Sequence, residues 1–419
     1  KMKPIIRYWG RKAGSIARPY IGKYSKLGEI VLDPFGGAGS IIKTALIMGR
    51  KGIYSDLNPL AALIAKVELE GVDTETWATV SDELFKGDWV RYASLYEVTC
   101  KCGRKTQAVY FVWSGERIKA VKVKCSCGTN MFRFYEENTE EIAPVKEFPR
   151  GSLKYPNGLP FLKRRQVNTV SELFTQRNLT ILTALLKDIK QLRTDERTKR
   201  ALFVAFASIL HQASKMSRQN GGAWSVNCYW LPKRHVERNP YFLFKNALKR
   251  LSRLKGIATV FSLEAVINGE ASLAVLNCDA GELPLPDNSV HLVITDPPFT
   301  DEIQYFELSY LAASWLELPM PFDKEIIVNH NQGKTFNDYC HLLSKSFLEM
   351  YRILKPGRRA VIMLHDEDEE ILTKLIELVK QAGFTINKRK KEQMVQRHVG
   401  ERNTLRGKDL LILNCRKPE

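Results

Sequence analysis

The stretch Glu29-Ile-Val-Leu-Asp-Pro-Phe-Gly-Gly-Ala-Gly-Ser40 decides how the chain is read. Glu29 to Phe35 has the apolar, β-branched content of a short buried strand. Gly36, Gly37 and Gly39 then let the backbone turn sharply and approach a ligand closely, and Ser40 to Met48 has the apolar spacing of a helix that Gly49 ends. Strand, glycine loop and helix in that order predict the nucleotide-binding unit of an α/β fold. A second strand, Gly52 to Ser55, runs into Asp56, 23 positions after Asp33 and near the spacing at which an acid meets a ribose hydroxyl pair. The expected ligand is a nucleoside-containing cofactor. Just upstream, Arg7, Arg11, Lys12 and Arg18 accompany Tyr8 and Trp9, and a helix is expected through Ile21 and Tyr24. That basic, aromatic segment is expected to touch the cofactor or a phosphate.

The second informative stretch is Val290 to Phe299, VHLVITDPPF. Leu292 to Thr295 predict a buried strand that stops at Asp296, because two prolines cannot continue a sheet ladder. Asp296 then offers a carboxylate at the C-terminal edge of a sheet, Pro297 a carbonyl, and Phe299 a flat apolar face. With Pro298 stiffening the loop, these groups could accept both hydrogens of an exocyclic amine and stack on the base that carries it. Around this strand the α/β rhythm runs from Ala274 onward. Ala274 to Asn277 is a strand ending near Asp279 and Ala280, and helices hold Gln304 to Trp315 and Thr335 to Leu354. Lys355 to Gly357 is a turn into the strand Ala360 to Leu364. A helix at Glu370 to Ala382 precedes the strands Phe384 to Asn387 and Leu410 to Asn414. The loop between those last strands carries Lys388, Arg389, Lys390, Lys391, Arg397, Arg402 and Arg406.

Between the two halves the rhythm breaks off after a helix at Pro59 to Glu70. Cys100-Lys-Cys102-Gly and Cys125-Ser-Cys127-Gly frame a β-rich span, and two cysteine knuckles joined by a hairpin supply four thiolates for a tetrahedral zinc. Four protein ligands close the coordination sphere, so that Zn2+ is expected to be structural. Residues 136–170 read as a connector, and helices follow through Leu179 to Ile189 and Ala201 to Leu210. Ser214 to Tyr241 then interleaves Lys215, Arg218, Lys233, Arg234 and Arg238 with Trp224, Tyr229 and Trp230, as a surface that binds phosphates and stacks bases would.

Composition agrees with that reading. The 419 residues exceed the size of a single core and carry 64 basic and 46 acidic side chains, a net charge of +18 that favours a polyanionic partner. No apolar run has membrane-spanning length and no signal segment opens the chain, so a soluble, cytoplasmic protein is expected. The seven histidines show no metal-ligand pair, and no Pro-Cys setting marks a nucleophile for carbon methylation.

Together, Asp33-Pro34-Phe35-Gly36-Gly37-Ala38-Gly39, Asp56, Asp279 and Asp296-Pro-Pro-Phe299 resemble the amino-methyltransferases that modify exocyclic amines of bases. Tyr8-Trp9 with Arg11-Lys12, LFTQRNL at 173–179, the cysteine knuckles, IQYFELSYLAASWL at 303–316 and QGKTFNDY at 332–339 are similar to the adenine-specific DNA methylases containing a zinc ribbon. The resemblance implies a Rossmann-like class I methyltransferase sheet with a large inserted zinc-ribbon and helical region. It implies S-adenosyl-L-methionine held by Tyr8, by Asp33 to Gly37, by Gly39 and Ser40, by Asp56 and Leu57, and by Asp279 and Ala280. Asp296, Pro297, Pro298 and Phe299 would act on the target amine, and Lys215, Arg218, Trp224, Trp230, Lys233 and Arg234 would meet the nucleic acid. The matching division of the chain is 1–70 and 271–419 for the two parts of the methyltransferase domain, 71–140 for the zinc ribbon and 141–270 for the recognition region. Two features depart from the pattern: the insertion falls between the second and third sheet strands, and Phe299 stands where tyrosine is more frequent. The latter leaves adenine N6 and cytosine N4 both open as targets. DNA is favoured as substrate, RNA is the rival, and a non-catalytic zinc-ribbon binding protein is the rival from another class.

Overall fold

The computed structural model describes residues 8–9, 14–133, 148–149, 151–219, 229–366, 368–395 and 407–419. In chain order the strands are β1 (Ile30–Asp33), β2 (Lys51–Ser55), β3 (Glu97–Thr99), β4 (Lys105–Ser114), β5 (Arg117–Val123) and β6 (Met131–Arg133). They continue with β7 (Arg234–Arg238), β8 (Leu273–Leu276), β9 (Val290–Thr295), β10 (Leu354–Leu364), β11 (Thr385–Val395) and β12 (Gly407–Arg416). Contacts divide the chain into two units. One contains Arg7–Gly71, Lys255–Phe306 and Pro319–Glu419, and the other contains Val72–Leu254 and Glu307–Leu318.

The first unit is built on a seven-stranded sheet in the order β11-β12-β10-β9-β1-β2-β8. The run from β8 to β10 is parallel, and β12 lies antiparallel between β10 and β11. Parallel strands covered on both faces need apolar side chains on both, which is why Ile30-Val-Leu32 and Leu292-Val-Ile294 are unbroken apolar runs. Leu32 and Val293 pack on one face with Leu343 and Phe347, while Val31, Leu292 and Ile294 pack on the other with Ala17 and Ile21. The helix Pro59–Glu70 begins where the Asn58 side chain accepts from the Leu60 N–H and ends at Gly71, whose φ is 66°.

This order places the site. From β1 the chain adds β2 and β8 on one side, then returns to lay β9 on the other, with Leu32 paired to Val293. Order reversal of this kind opens a crevice at the C-terminal ends of the two central strands. Asp33 ends β1 and Asp296 follows β9, so both carboxylates arrive there.

Two expectations need correction. Lys355 to Gly357 lie inside β10, as an irregular segment with a register shift between Leu354 and Arg359, and not in a turn before it. Lys388 to Lys391 are not loop residues but belong to β11, paired with Asn414 to Leu411 of β12. A charged run is compatible with a strand at the sheet edge, where one side of the ladder is open to water. Arg397, Arg402 and Arg406 lie outside the described residues.

In the second unit β3, β4, β5 and β6 form a sheet, with β7 paired to β4. Helices Thr74–Leu84, Gln176–Gln191, Glu196–Ala213 and Pro240–Leu251 accompany it. Phe174 and Phe206 meet the buried Trp315 edge to face. The buried carboxylate of Glu237 is fully engaged, accepting from Arg177 at 2.8 Å, Thr175 at 2.6 Å and the Trp113 indole at 2.7 Å. Among the described residues no helix is long and apolar enough to cross a membrane.

Candidate active site

The crevice predicted by the strand order is a cleft whose empty space, counted to its open mouth, is about 900 Å³. Of the residues expected to hold the cofactor, Tyr8, Asp33, Pro34, Phe35, Gly36, Gly37, Ser40, Asp56, Leu57, Asp279 and Ala280 line it, and so do Asp296 and Pro298. Gly39 does not. It sits in the left-handed region at φ 74° beside Ala65 and starts the helix Ser40–Ile47. Gly36 must be glycine for another reason, since a Cβ there would lie 2.2 Å from the Tyr54 ring. That ring's hydroxyl donates to the Gly37 carbonyl at 2.7 Å and pins the loop. Arg18 is exposed on its helix and does not line the cleft, and Arg7, Arg11 and Lys12 lie outside the described residues.

Asp56 is held by two backbone N–H groups, Gly37 on one oxygen and Asn58 on the other, each at 2.8 Å. Asn277 donates to the Asp56 and Leu57 carbonyls at 2.8 and 3.0 Å, tying the end of β2 to the residue after β8. Each carboxylate oxygen of Asp56 can still accept a hydroxyl. Asp279 accepts from the Gly281 N–H at 2.8 Å and faces the Lys324 ammonium at 3.8 Å.

Asp33 is 1% exposed and accepts from the Thr295 hydroxyl at 2.8 Å and the Phe35 N–H at 3.2 Å. Burial, reinforced by the charges of Asp296 and Asp56, outweighs those two bonds and pushes its carboxyl up to about 8. Burial likewise pushes Asp56 to about 6. A carboxyl raised in this way binds more protons folded than unfolded. Its cost to stability is therefore absent below the unfolded value of 3.8 and fully present above the folded one. Asp33→Asn is expected to raise the denaturation midpoint over wild type at about pH 9 and to leave it nearly unchanged at about pH 4. An equal gain at both pH values would show that Asp33 does not titrate across that window.

Beyond Asp296 the loop turns each group differently. The Pro298 carbonyl accepts from the Tyr339 hydroxyl at 2.8 Å, whereas Pro297 is buried and outside the cleft lining, and among the described residues none donates to its carbonyl. Phe299 lies outside the cleft lining and meets the buried His365 ring edge to face at 5.4 Å. Sequence reasoning assigns His365 no role, and nothing in its neighbours links it to Phe299. It also misses Tyr305, Lys324 and Glu325, which line the cleft. Tyr305 stacks on Tyr8 at 5.9 Å, and Glu325 is buried, accepting from the Phe306 N–H at 3.0 Å and from Gln332 at 3.0 Å. Tyr305 and Gln332 fall within stretches that carried the family resemblance.

In the other unit the four knuckle cysteines converge. Cys100 and Cys127 are 3.6 Å apart, Cys102 and Cys125 3.7 Å, and all four sulfurs lie within 4.8 Å of one another. A tetrahedron of thiolates at the zinc–sulfur distance of about 2.3 Å has an edge of about 3.8 Å, so the sulfurs fit that ion. Gly103 and Gly128, at φ 83° and 85°, close the two knuckles by donating to the Cys100 and Cys125 carbonyls. The Thr129 hydroxyl, 3.1 Å from Cys127, lowers that thiol to about 6, and the Arg104 guanidinium lowers Cys102.

The basic, aromatic stretch is only partly a surface. Arg218, Lys233 and Arg234 are exposed, and the Arg218 guanidinium covers the half-buried Trp230 ring at 4.5 Å. Lys215 is half-buried, which lowers its ammonium. Trp224 lies outside the described residues. Tyr229 does not belong to a stacking surface. It is 2% exposed, and its hydroxyl donates to the Glu307 carbonyl and accepts from the Leu311 N–H, so it is a core residue.

No model of a known protein family matches the chain. It is 30% identical over 71 residues, 17% of its own length, to the type II methyltransferase M.MjaII of Methanocaldococcus jannaschii, and the match spans 13% of that protein. Among solved structures it is similar to a candidate DNA modification methylase from Thermus thermophilus complexed with S-adenosyl-L-methionine. There the identity is 21%, the match covers 34% of this chain and 54% of that one, and the TM-score is 0.22. It is also similar to the 16S rRNA (adenine(1408)-N(1))-methyltransferase of Catenulisporales acidiphilia, at 10% identity over 36% of this chain and 66% of that one, with a TM-score of 0.21. The chain thus spans a small part of the curated relative and about half to two-thirds of these structures. By its motifs and by the 71-residue match, the chain resembles the DNA methyltransferases.

Proposed function

We propose that the chain is an S-adenosyl-L-methionine-dependent methyltransferase acting on the exocyclic amine of a nucleic-acid base, adenine N6 or cytosine N4, with DNA the favoured substrate. The observation that carries this reading is the charge of the cleft at the strand-order reversal. Asp56, Asp279, Asp296 and Glu325 line it against a single basic side chain, Lys324, among the described residues, with Asp33, pushed up to about 8 and so largely neutral at pH 7, beside them. A pyrophosphate at the glycine loop would face that acidic wall, whereas a ligand bearing a sulfonium and an ammonium is attracted by it. The sheet is then a Rossmann-like class I methyltransferase core, and the cysteine knuckles hold a structural zinc in a ribbon.

In this reading Asp56 accepts the ribose hydroxyls, Asp279 and Ala280 flank the adenine, and Asp33 to Ala38 with Ser40 enclose the methionine end. S-adenosyl-L-methionine bound there supplies a methyl group on a positively charged sulfur. An exocyclic base amine is a weak nucleophile because its lone pair is delocalised into the ring. By accepting its two hydrogens, the Asp296 carboxylate and the Pro297 carbonyl localise that lone pair and aim it, so catalysis rests on positioning and electrostatics. The Pro298 carbonyl is already occupied by Tyr339, while no described residue donates to the Pro297 carbonyl, and this supports that choice of acceptor. In a duplex the base must first be flipped out, at a few kcal/mol, and Phe299 gives it an aromatic face. Arg218, Lys233, Arg234, Lys215, Trp230 and Trp224 are proposed to meet the phosphates and neighbouring bases.

The test is transfer of tritiated methyl from S-adenosyl-L-methionine to DNA and to total RNA, with nucleoside mass spectrometry of the product. N6-methyladenine or N4-methylcytosine in DNA is expected, with affinity falling steeply as salt rises. Label only in RNA would move the substrate to the rival reading. Cofactor binding without label in either would leave a non-catalytic binding protein.

A further inference from the structure

The loop after Asp296 contains a residue in a conformation its side chain disfavours. Thr300 has φ 23°, a positive value that is a genuine outlier for a β-branched residue and persists only where the surroundings enforce it. Three elements do so. The Val328 N–H donates to the Thr300 carbonyl at 2.9 Å, and the Thr300 hydroxyl donates to Asp366 at 3.2 Å. The third is Tyr339, 1% exposed, whose hydroxyl donates to the Pro298 carbonyl at 2.8 Å, two residues before Thr300. Tyr339 thus holds the chain just before Phe299, and the Val328 and Asp366 bonds to Thr300 hold it just after. Tyr339 is itself fixed. It lies in the first turn of the helix Phe336–Ile353, whose start is locked by the reciprocal Thr335 and Asp338 capping bonds.

We infer that Tyr339, with Asp366 and Val328 holding Thr300, is the positioning device of the target-base pocket. The clamp sets the direction of Phe299 against His365 and occupies the Pro298 carbonyl, which leaves the Pro297 carbonyl as the acceptor for the amine. The inference rests on the proposed base methylation and names residues that act through the loop without touching cofactor. Tyr339 packs beneath the loop in the sheet's own core with Leu343 and Phe347, so its side chain would be needed for folding in any case. Its hydroxyl is not.

Tyr339→Phe removes only that hydroxyl. It is expected to lower kcat about 10- to 100-fold, the scale on which small misplacements of reacting groups count. Cofactor Kd should stay within about twofold, since no group on the cofactor is touched. Backbone amide exchange at 299–302, read by mass spectrometry, should quicken at least about tenfold as the loop loosens. Thr300→Gly is the second variant. It relieves the positive φ, so it should fold at least as well as wild type and still lose kcat through the freed loop. Wild-type kcat and unchanged loop exchange in Tyr339→Phe, or wild-type kcat in a folded Thr300→Gly, would overturn the clamp. The proposed function falls separately, if wild type itself methylates no base. The exchange measurement still decides the clamp in that case, because slow wild-type exchange that Tyr339→Phe fails to accelerate overturns it without any turnover.

Discussion

Asp296→Ala should lower the rate of methyl transfer by at least about 10²- to 10³-fold, the usual effect of deleting one group aimed at developing charge, and leave cofactor affinity nearly unchanged. The carboxylate stands at the end of β9 and lines the cleft, but in the proposed reaction its partner is the amine, so its loss weakens the transition state and not the cofactor complex. Asp296→Asn separates geometry from charge. It keeps an acceptor oxygen without the negative charge, and should retain more activity than alanine if orientation of the amine carries part of the effect. Single-turnover rates and calorimetric cofactor affinities measure both quantities. Near-wild-type transfer in Asp296→Ala would remove the mechanism and with it the assignment of a base amine as substrate.

The second large effect is expected at the cysteine cluster. Cys127 is exposed, and an exposed cysteine without a ligand would tolerate serine within about 0.5 kcal/mol. A zinc thiolate would not. Metal binding to four thiolates is worth roughly 10–16 kcal/mol in small peptides and is coupled directly to folding. The sheet beside the knuckles buries Val98, Ala108, Phe111, Ile118, Val121 and Val123 as well as Tyr110, Val112 and Val236, whereas Cys102, Cys125 and Cys127 are not buried, so the ion would act as the staple of the two knuckles. Cys127→Ser, or removal of metal by a chelator, is therefore expected to unfold the knuckles of the ribbon and to weaken nucleic-acid binding more than cofactor binding. Elemental analysis should find one zinc per chain. Protein without zinc, together with wild-type stability of Cys127→Ser, would end the assignment.

How legible these features were depended on the range of the interactions behind them. The helix Pro59–Glu70 was readable to the residue, because an asparagine cap and a glycine at positive φ are local signals. The helix Thr74–Leu84 has an equally local Asp73 cap, but it stands where the α/β rhythm has already broken off, so no periodic context marks it. β7 was not readable. Arg234 to Arg238 is a charged pentapeptide in sequence and a strand only because β4 offers it a distant partner, with Tyr110 opposite Arg238 and Phe111 opposite Glu237. The same applies to Lys388 to Lys391 on β11.

By itself the sequence determined the α/β class, the glycine loop with its two acids, the proline-stiffened carboxylate and the four converging cysteines. Each is written in adjacent residues whose backbone preferences or ligand chemistry admit few alternatives. Only the tertiary structure decided that β9 returns to the far side of β1 and so brings Asp296 to the crevice that Asp33 opens. It alone made Tyr229 a core residue, set Tyr305 on Tyr8, and hung the Phe299 loop from Tyr339, 41 positions along the chain from Pro298. The physical reason is common to all of these. A side chain's partner across a sheet or between helices is chosen by packing and hydrogen-bond satisfaction over the whole fold, and no local run of residues encodes that choice.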